Sequence, residues 1–264
     1  MPSDSVAFDR AVDYYDDTRG FPSGEEKHIG ALFARVGGLT SASRVFEVGI
    51  GTGRIALPLA PHVGQIVGVD LARPMLERLR AKQTTEPVRV IIGDATALPL
   101  YSGKFDAAVA VHIFHLIPRW RDALREVARM LRPGGMLLSG WNDKARRLGN
   151  YDDVLWQAWD DTVGNRHDHH PGVHPDQFET FLADSGWQPV NEMLEHYYTI
   201  TRTPQEFLLR LEQRIWSSMW TMPDEAVERG LAAVRDAMQR HQIDPHKVVE
   251  YSACFKVQAF LPPK

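Results

Sequence analysis

The segment Arg44-Val-Phe-Glu-Val-Gly-Ile-Gly-Thr-Gly-Arg-Ile-Ala56 constrains this chain more than any other stretch of it. An apolar, largely β-branched run (Val45, Phe46, Val48, Ile50) meets glycine at every second position, Gly49, Gly51 and Gly53, and a helical pattern starts at once. That order describes a buried strand turning sharply into a helix, with no side chains blocking the turn. Glycine is required where the backbone takes positive φ or where a ligand presses against the main chain. Such a turn aims the open N–H groups of a helix N-terminus at a nucleotide-like ligand. A purely structural strand-to-helix turn would use the same residues, so the remainder of the chain has to decide.

The same alternation continues downstream. A helical pattern over residues 24–36 stops at Gly37-Gly38. Strand one is expected over 44–50, a helix from Gly53 to about His62, and strand two over 65–70, ending in Asp70. Pro74 in a first turn opens a helix over 75–82. Strand three (88–94) ends in Asp94, strand four spans 105–111, and an amphipathic helix over 120–131 closes at Arg132-Pro-Gly-Gly135 before strand five, 136–141. Nearly all-apolar strands alternating with helices predict an α/β fold: a doubly wound parallel sheet, with its ligand outside the carboxyl ends of the strands. Gly49–Gly53, Asp70, Asp94 and His112 all fall there.

Beyond about residue 142 the character changes. Residues 143–171 are polar and aromatic, with Trp156 and Trp159 in a helix. A helix over 174–185, a bent strand over 187–201, helices over 204–219 and 224–242, and an alternating strand over 248–261 follow. The organisation expected is an N-terminal helical lid (1–40), a core (41–142, 172–203 and 248–264), and helical cap insertions (143–171 and 204–247) late in the chain. Helices that merely pack on the sheet are the alternative.

With 264 residues and a formal charge of −4, the chain has room for a large α/β core plus a cap and no general pull toward nucleic acid or anionic membranes. No apolar run approaches the ~20 residues that span a bilayer. The first residues lack the basic and apolar regions of a signal peptide. The single cysteine, Cys254, has no internal partner and reads as a packed core thiol. A cytoplasmic protein is expected, with neither nucleic acid nor membrane as partner; its oligomeric state is not encoded legibly. The basic stretch 144–147 reads as a solvated turn.

The glycine turn departs from the dinucleotide pattern G-x-G-x-x-G, because Arg54 stands where the third glycine belongs. The spacing Glu47-x-Gly49-x-Gly51-x-Gly53 resembles instead the first motif of class I S-adenosylmethionine-dependent methyltransferases. Asp70, Gly93-Asp94-Ala95, the segment from Phe105 to His112, and Leu131-Arg-Pro-Gly-Gly135 follow in the family's order. The resemblance covers roughly residues 44–141 and is similar to the small-molecule, type 11-like members. It implies a seven-stranded Rossmann-like sheet whose last strand pair is antiparallel, and S-adenosyl-L-methionine as cofactor. It further implies that Gly49, Gly51 and Gly53 cradle the cofactor and that Asp70 accepts from the ribose hydroxyls. Asp94 would meet the adenine amino group, the Ala95 N–H the ring, and Leu71 and Met75 its faces. Glu47 would face the methionine end, and the strand ending at Val111 would lead toward the reacting methyl. Tyr14-Tyr-Asp-Asp-Thr-Arg19 resembles the segment preceding the core in many such members, where Tyr15 would close over the sulfonium and Arg19 bind the methionine carboxylate.

Methyl transfer needs in-line alignment and removal of a proton where the acceptor carries one. His112 and His115 flank the pocket end of strand four and are the candidate catalytic bases; alternatively one binds backbone and the other lines the cofactor wall. The histidines at 167–170, with His174, are read as solvated loop residues and no metal is expected. The acceptor expected is a small, apolar or aromatic molecule, methylated at O or N, since Trp156, Trp159, Tyr197, Tyr198, Trp216 and Trp220 enrich the cap. These aromatics are equally compatible with a core of the cap itself. Two other readings are a non-catalytic S-adenosylmethionine-binding module and an NAD(P)-dependent oxidoreductase. Arg54 and Asp94 speak against the latter.

Overall fold

The structure is a computed structural model and describes residues 8–147, 151–164, 171–174 and 177–263. Two compact units divide the chain: residues 1–143, 171–196 and 255–264 form the first, and 144–170 and 197–254 the second.

Seven strands among the described residues form one sheet: β1 Arg44–Val48, β2 Gln65–Asp70, β3 Val88–Ile92, β4 Phe105–Val111, β5 Leu131–Arg147, β6 Gln188–Arg202 and β7 Val249–Leu261, in the order β3-β2-β1-β4-β5-β7-β6. The first five pair in parallel, and β7 runs antiparallel to both neighbours. This is the doubly wound, Rossmann-like sheet expected, with its last strand pair antiparallel. The first unit also carries α1 Tyr15–Arg19, α2 Glu25–Gly37, α3 Ala56–Leu59, α4 Arg73–Lys82, α5 Trp120–Met130 and α7 Phe178–Asp184.

Helix periodicity explains how these helices seat. In α5, Trp120, Ala123, Leu124, Val127 and Met130 share one face and are buried with Phe46, Phe105, Ala108 and Leu137 of the sheet. Opposite-charge pairs such as Arg129–Glu126, 2.6 Å apart, occupy the outer face. Helix α2 approaches α3 so closely that a Cβ on Gly30 would lie 2.0 Å from the Pro58 carbonyl oxygen. Similarly, a Cβ on Gly140 of β5 would meet Phe33 at 2.6 Å and Phe255 at 3.0 Å. Gly30→Ala is therefore expected to destabilise by about 1–3 kcal/mol, because α2 must back away from a backbone atom that cannot yield; urea unfolding checks this.

Several element bounds differ from the sequence expectation. Gly49, Gly51 and Gly53 all take positive φ (+68°, +53° and +79°), and the turn they build consumes residues through Ile55, so α3 starts at Ala56 rather than at Gly53. Strand β5 begins at Leu131, not 136. Phe105 pairs with Leu131 and Ala107 with Met136, so residues 132–135 bulge opposite the single residue Asp106. The Asp106 carboxylate holds that bulge, accepting from the Arg44 N–H at 2.6 Å and pairing with Arg132 at 2.6 Å. Residues 144–147, expected as a turn, continue β5.

In the second unit, α6 Tyr151–Val163, α8 Pro204–Glu212 and α9 Asp224–Arg240 enclose a core of their own. Helix α8 opens on a capping box of Thr203 and Glu206 and stops at Glu212 instead of 219, with Arg214 at φ +49°. Trp159 is fully buried, and Trp156 packs edge-to-face on Phe207 (4.9 Å) and Trp216 (5.1 Å). Trp156, Trp159 and Trp216 thus belong to the core of this unit, while Tyr197 is 55% exposed. Helix α7 covers only part of the 174–185 expected. His167, Asp168, His169 and His170 lie outside the described residues. Among the described residues, no cluster suits a metal ion and no helix is long and apolar enough to cross a membrane.

Candidate cofactor cleft and acceptor end

Strand order reverses at β1, which has β2 on one side and β4 on the other, and the cleft opens at their carboxyl ends. The glycine turn is tied to β2 by the Gly49 and Ile50 N–H groups, which donate to the Val69 carbonyl at 2.9 and 3.0 Å. Asp70, at the tip of β2, closes the cradle: Oδ2 accepts from the Gly51 N–H and Oδ1 from the Ala72 N–H, both at 2.9 Å. Each carboxylate oxygen retains a lone pair for a ligand hydroxyl. Burial raises the Asp70 carboxyl above its ordinary value, against the pull of the Ala72, Gly51 and Leu71 N–H groups.

The three glycines serve different ends. A Cβ on Gly49 would strike Ile113 at 2.4 Å, and one on Gly53 would strike Leu79 at 2.9 Å, so both are glycine for packing as well as for φ. A Cβ on Gly51 would have Met75 Cε at 3.7 Å and Asp70 Oδ2 at 3.9 Å as its nearest neighbours. Of the three, Gly51 is the one where a Cβ would meet no close neighbour.

The cleft is lined by Gly49, Val69, Asp70, Leu71, Gly93 and Ala95, and by Ile113, Leu116 and Ile117. The last three come from the segment after β4 and were not anticipated. Asp94 accepts from the Thr96 N–H at 2.8 Å, with Arg119 at 3.9 Å from its other oxygen. Met75 is buried beneath Gly51. Val111 pairs with Gly140, and a Cβ on that glycine would meet its Cγ2 at 3.1 Å. His115 sits in the short turn Phe114–Leu116, where its carbonyl accepts from the Gly172 N–H at 2.9 Å.

Glu47, in the middle of β1, is 4% exposed, and its Oε2 finds no hydrogen-bond partner among the described residues. Burial pushes its carboxyl well above the usual range and the Asp70 charge adds to this, against the Arg54 guanidinium. A buried acceptor left open is costly unless a ligand group completes it. The methionine ammonium of the implied cofactor has the donors to do so. The donor and acceptor set therefore fits that cofactor.

Helix α1 carries Tyr15, whose ring meets Phe8 edge-on at 6.0 Å, and Arg19. Between them stands a residue given no role above, Asp16. It accepts from Thr52 Oγ in the glycine turn at 2.6 Å, and from Arg78 Nε (2.8 Å) and Lys82 Nζ (2.9 Å) of α4. Burial alone would raise its carboxyl, but the Thr52, Arg78 and Lys82 hydrogen bonds outweigh it and hold the group below the ordinary 3.8. With the folded value depressed, the clamp is complete above 3.8 and is lost as pH falls through the folded value. Asp16→Ala is expected to weaken cofactor binding by about 1–2 kcal/mol, since Arg78 and Lys82 are a third exposed and their charges are screened. Titration calorimetry at pH 7.5 reads the loss.

At the carboxyl end of β4, His112 takes φ +49°, a strained conformation for a residue with a side chain. Its Nε2 lies 3.1 Å from Asn142 Oδ1 and accepts from the Asn142 N–H at 3.2 Å. Arg54 Nη2 donates to the same Oδ1 at 3.1 Å, and its guanidinium stacks 4.4 Å above the Phe21 ring. Burial and the Arg54 and Arg19 charges depress the His112 imidazole, while the Asn142 contact pulls the other way. More than a third of the residue's surface is open, which weakens the burial contribution; the two guanidinium charges remain, and the neutral ring is favoured.

Residues 46–139 match the family described as Methyltransferase domain. An uncharacterised methyltransferase of Mycobacterium tuberculosis (strain ATCC 25618 / H37Rv) is 36% identical over 147 residues, covering 55% of this chain and 56% of that protein. A fatty-acid O-methyltransferase of Mycolicibacterium smegmatis is 32% identical over 165 residues, 60% of this chain and 58% of that protein. The chain thus spans little more than half the length of these relatives. The solved [4+2]-cyclase SpnF superposes with a TM-score of 0.54 at 19% identity, covering 100% of this chain and 99% of that one, and shares the fold. Over this domain the chain is similar to the class I S-adenosylmethionine-dependent methyltransferase family. The family's cofactor is S-adenosylmethionine, and the nicotinamide reading lapses.

Proposed function

We propose that the protein transfers a methyl group from S-adenosylmethionine to an oxygen or nitrogen atom of a small apolar or aromatic molecule. The observation that carries this is Asp70, which lines the cleft and holds the Gly51 N–H, together with Glu47 in the neighbouring strand, whose buried Oε2 is open. One carboxylate suits a nucleoside's hydroxyls, the other an ammonium group, and the apolar wall of Ile113, Leu116 and Ile117 suits a purine face. When bound, the sulfonium supplies an already activated methyl. The chain's own residues would then orient it: Asp70 and the Ala95 N–H hold the nucleoside, Glu47 the amino-acid end, and Tyr15 and Arg19 on α1 cover it. Alignment and exclusion of water carry most of such a reaction. The relative acting on fatty acids agrees with an apolar acceptor.

Because a fold shared with a cyclase does not define the reaction, binding and transfer need separate tests. Calorimetry with S-adenosylmethionine, S-adenosylhomocysteine and NAD is expected to give micromolar-range isotherms for the first two, and bound cofactor raises the melting temperature by mass action. Heat with NAD alone would refute the proposal. Binding without methyl transfer to any acceptor would favour the non-catalytic module.

A further inference from the structure

The turn after β3 carries two residues of the cleft lining, Gly93 and Ala95, on either side of Asp94. Its bonds are short-range. The Gly93 N–H donates to the Asp70 carbonyl at 3.0 Å, the Ala97 N–H to the Asp94 carbonyl at 3.1 Å, and the Thr96 N–H to Asp94 Oδ1 at 2.8 Å. A tie to the segment after β4, whose Ile113, Leu116 and Ile117 line the same cleft, comes from Arg119. Its Nη2 donates to Thr96 Oγ1 at 2.6 Å and stands 3.9 Å from Asp94 Oδ2. The first is a charge-assisted hydrogen bond, and the second sets positive charge beside the carboxylate without a bond to it.

The root of this side chain is fixed as firmly as its tip. Arg119 stands just before α5, and its carbonyl accepts from the Asp122 and Ala123 N–H groups at 2.9 and 3.2 Å. The next residue, Trp120, packs edge-on against Phe181 at 4.1 Å. Asp122 competes weakly for the guanidinium, lying 3.8 Å from Nη1 while Arg125 takes its other oxygen at 2.6 Å. With its side chain 55% exposed, Arg119 contributes geometry more than Coulomb energy.

We infer that Arg119 is a positioning residue for the nucleobase: through the Thr96 hydroxyl it braces the Asp94 turn and so sets how strongly the site selects a purine bearing a 6-amino group. This rests on the S-adenosylmethionine reading above and adds a residue that tunes it. An acceptor rewards a donor most when it is ordered before the ligand arrives, because ordering on binding is subtracted from the gain. The Asp94 side chain is 25% exposed and sits in a turn, so without the brace it has freedom to lose.

Calorimetry tests this by comparing S-adenosylhomocysteine with its 6-deamino analogue, which carries purine in place of adenine. Wild-type protein should prefer the amino ligand by about tenfold. Arg119→Gln should lower that preference to about threefold or less, with the loss falling on S-adenosylhomocysteine while affinity for the analogue changes by less than about twofold. Thr96→Val should do the same, and the double variant should be no worse than either single one, because both side chains act through one bond. Arg119→Lys should recover part of the preference. A variant that is merely destabilised loses both ligands alike, so the ratio reads position and not folding. An unchanged ratio in Arg119→Gln, additive losses in the double variant, or equal wild-type affinity for the two ligands would each overturn the inference. Wild-type protein that binds neither ligand would overturn the S-adenosylmethionine reading with it.

Discussion

Gly51→Val is expected to abolish cofactor binding, raising Kd by at least about a hundredfold, while the protein remains folded. A Cβ at this position meets nothing closer than 3.7 Å, so the variant does not fail through a clash in its own core. Two effects fall on the ligand instead. The γ-methyl groups enter the space beside Asp70 Oδ2 that a ribose would use, and φ of +53° is one a β-branched residue resists by roughly 1–2 kcal/mol. Relaxing that strain would turn the Gly51 N–H away from Asp70. Circular dichroism and a melting curve should show a native fold that melts a few degrees lower, with calorimetry showing no isotherm for S-adenosylhomocysteine. Wild-type affinity in this variant would make the turn purely structural.

Replacing Asp70 has a comparably large effect with a more informative signature. Asp70→Ala should cost about 2–4 kcal/mol of cofactor affinity, and Asp94→Ala about 1–2 kcal/mol, because a single adenine contact is partly replaced by water. Asp70 also satisfies two backbone N–H groups, so the alanine variant loses stability as well. Asp70→Asn separates the two roles. The folded carboxyl is raised by burial, so its contribution to stability is present at low pH and declines as pH rises through the folded value. Asparagine offers one carbonyl oxygen for the two backbone N–H groups, so it should keep one of those bonds, lose less stability than alanine, and bind cofactor more weakly than the wild type. In the wild type, affinity should fall as pH drops through the raised value, since the protonated group gives up an acceptor. Equal, negligible losses at Asp70 and Asp94 would remove both assignments.

What could be read from the sequence followed the range of the interaction involved. Burial leaves a local period, so the parallel strands, the face of α5 and the glycine turn were all visible in windows of a dozen residues. Element ends were less so. The start of α3 depended on three consecutive odd-numbered glycines adopting positive φ, and the bulge at 132–135 on a carboxylate, Asp106, that also holds the Arg44 N–H. Polar partnerships left no local trace at all. Asp16 and Thr52 are 36 positions apart, and Arg54 and Asn142 are 88 apart. Asp16 lay within a segment singled out for its neighbours Tyr15 and Arg19. The cations at Arg78 and Lys82, one helical turn apart on α4, were the available hint that an anion should be sought. Arg54 was noticed only as the residue that spoils a dinucleotide motif, because nothing in its surroundings along the chain announces Phe21 or Asn142.

Gly140 gives this architecture an unexpected avenue for change in acceptor preference over generations. It lies two residues before Asn142 in β5, with Phe33 of α2 and Phe255 of β7 pressed against it from within the first unit. Interiors this dense transmit a change in volume instead of absorbing it. Trimming either phenylalanine lets β5 settle by a few tenths of an ångström, and Asn142, with the arginine and histidine it touches, moves with the strand. Reactive alignment is sensitive on that scale. Laboratory evolution toward a new acceptor should therefore enrich substitutions beneath the sheet, at residues that never meet a substrate, while the cradle that binds the cofactor keeps its sequence.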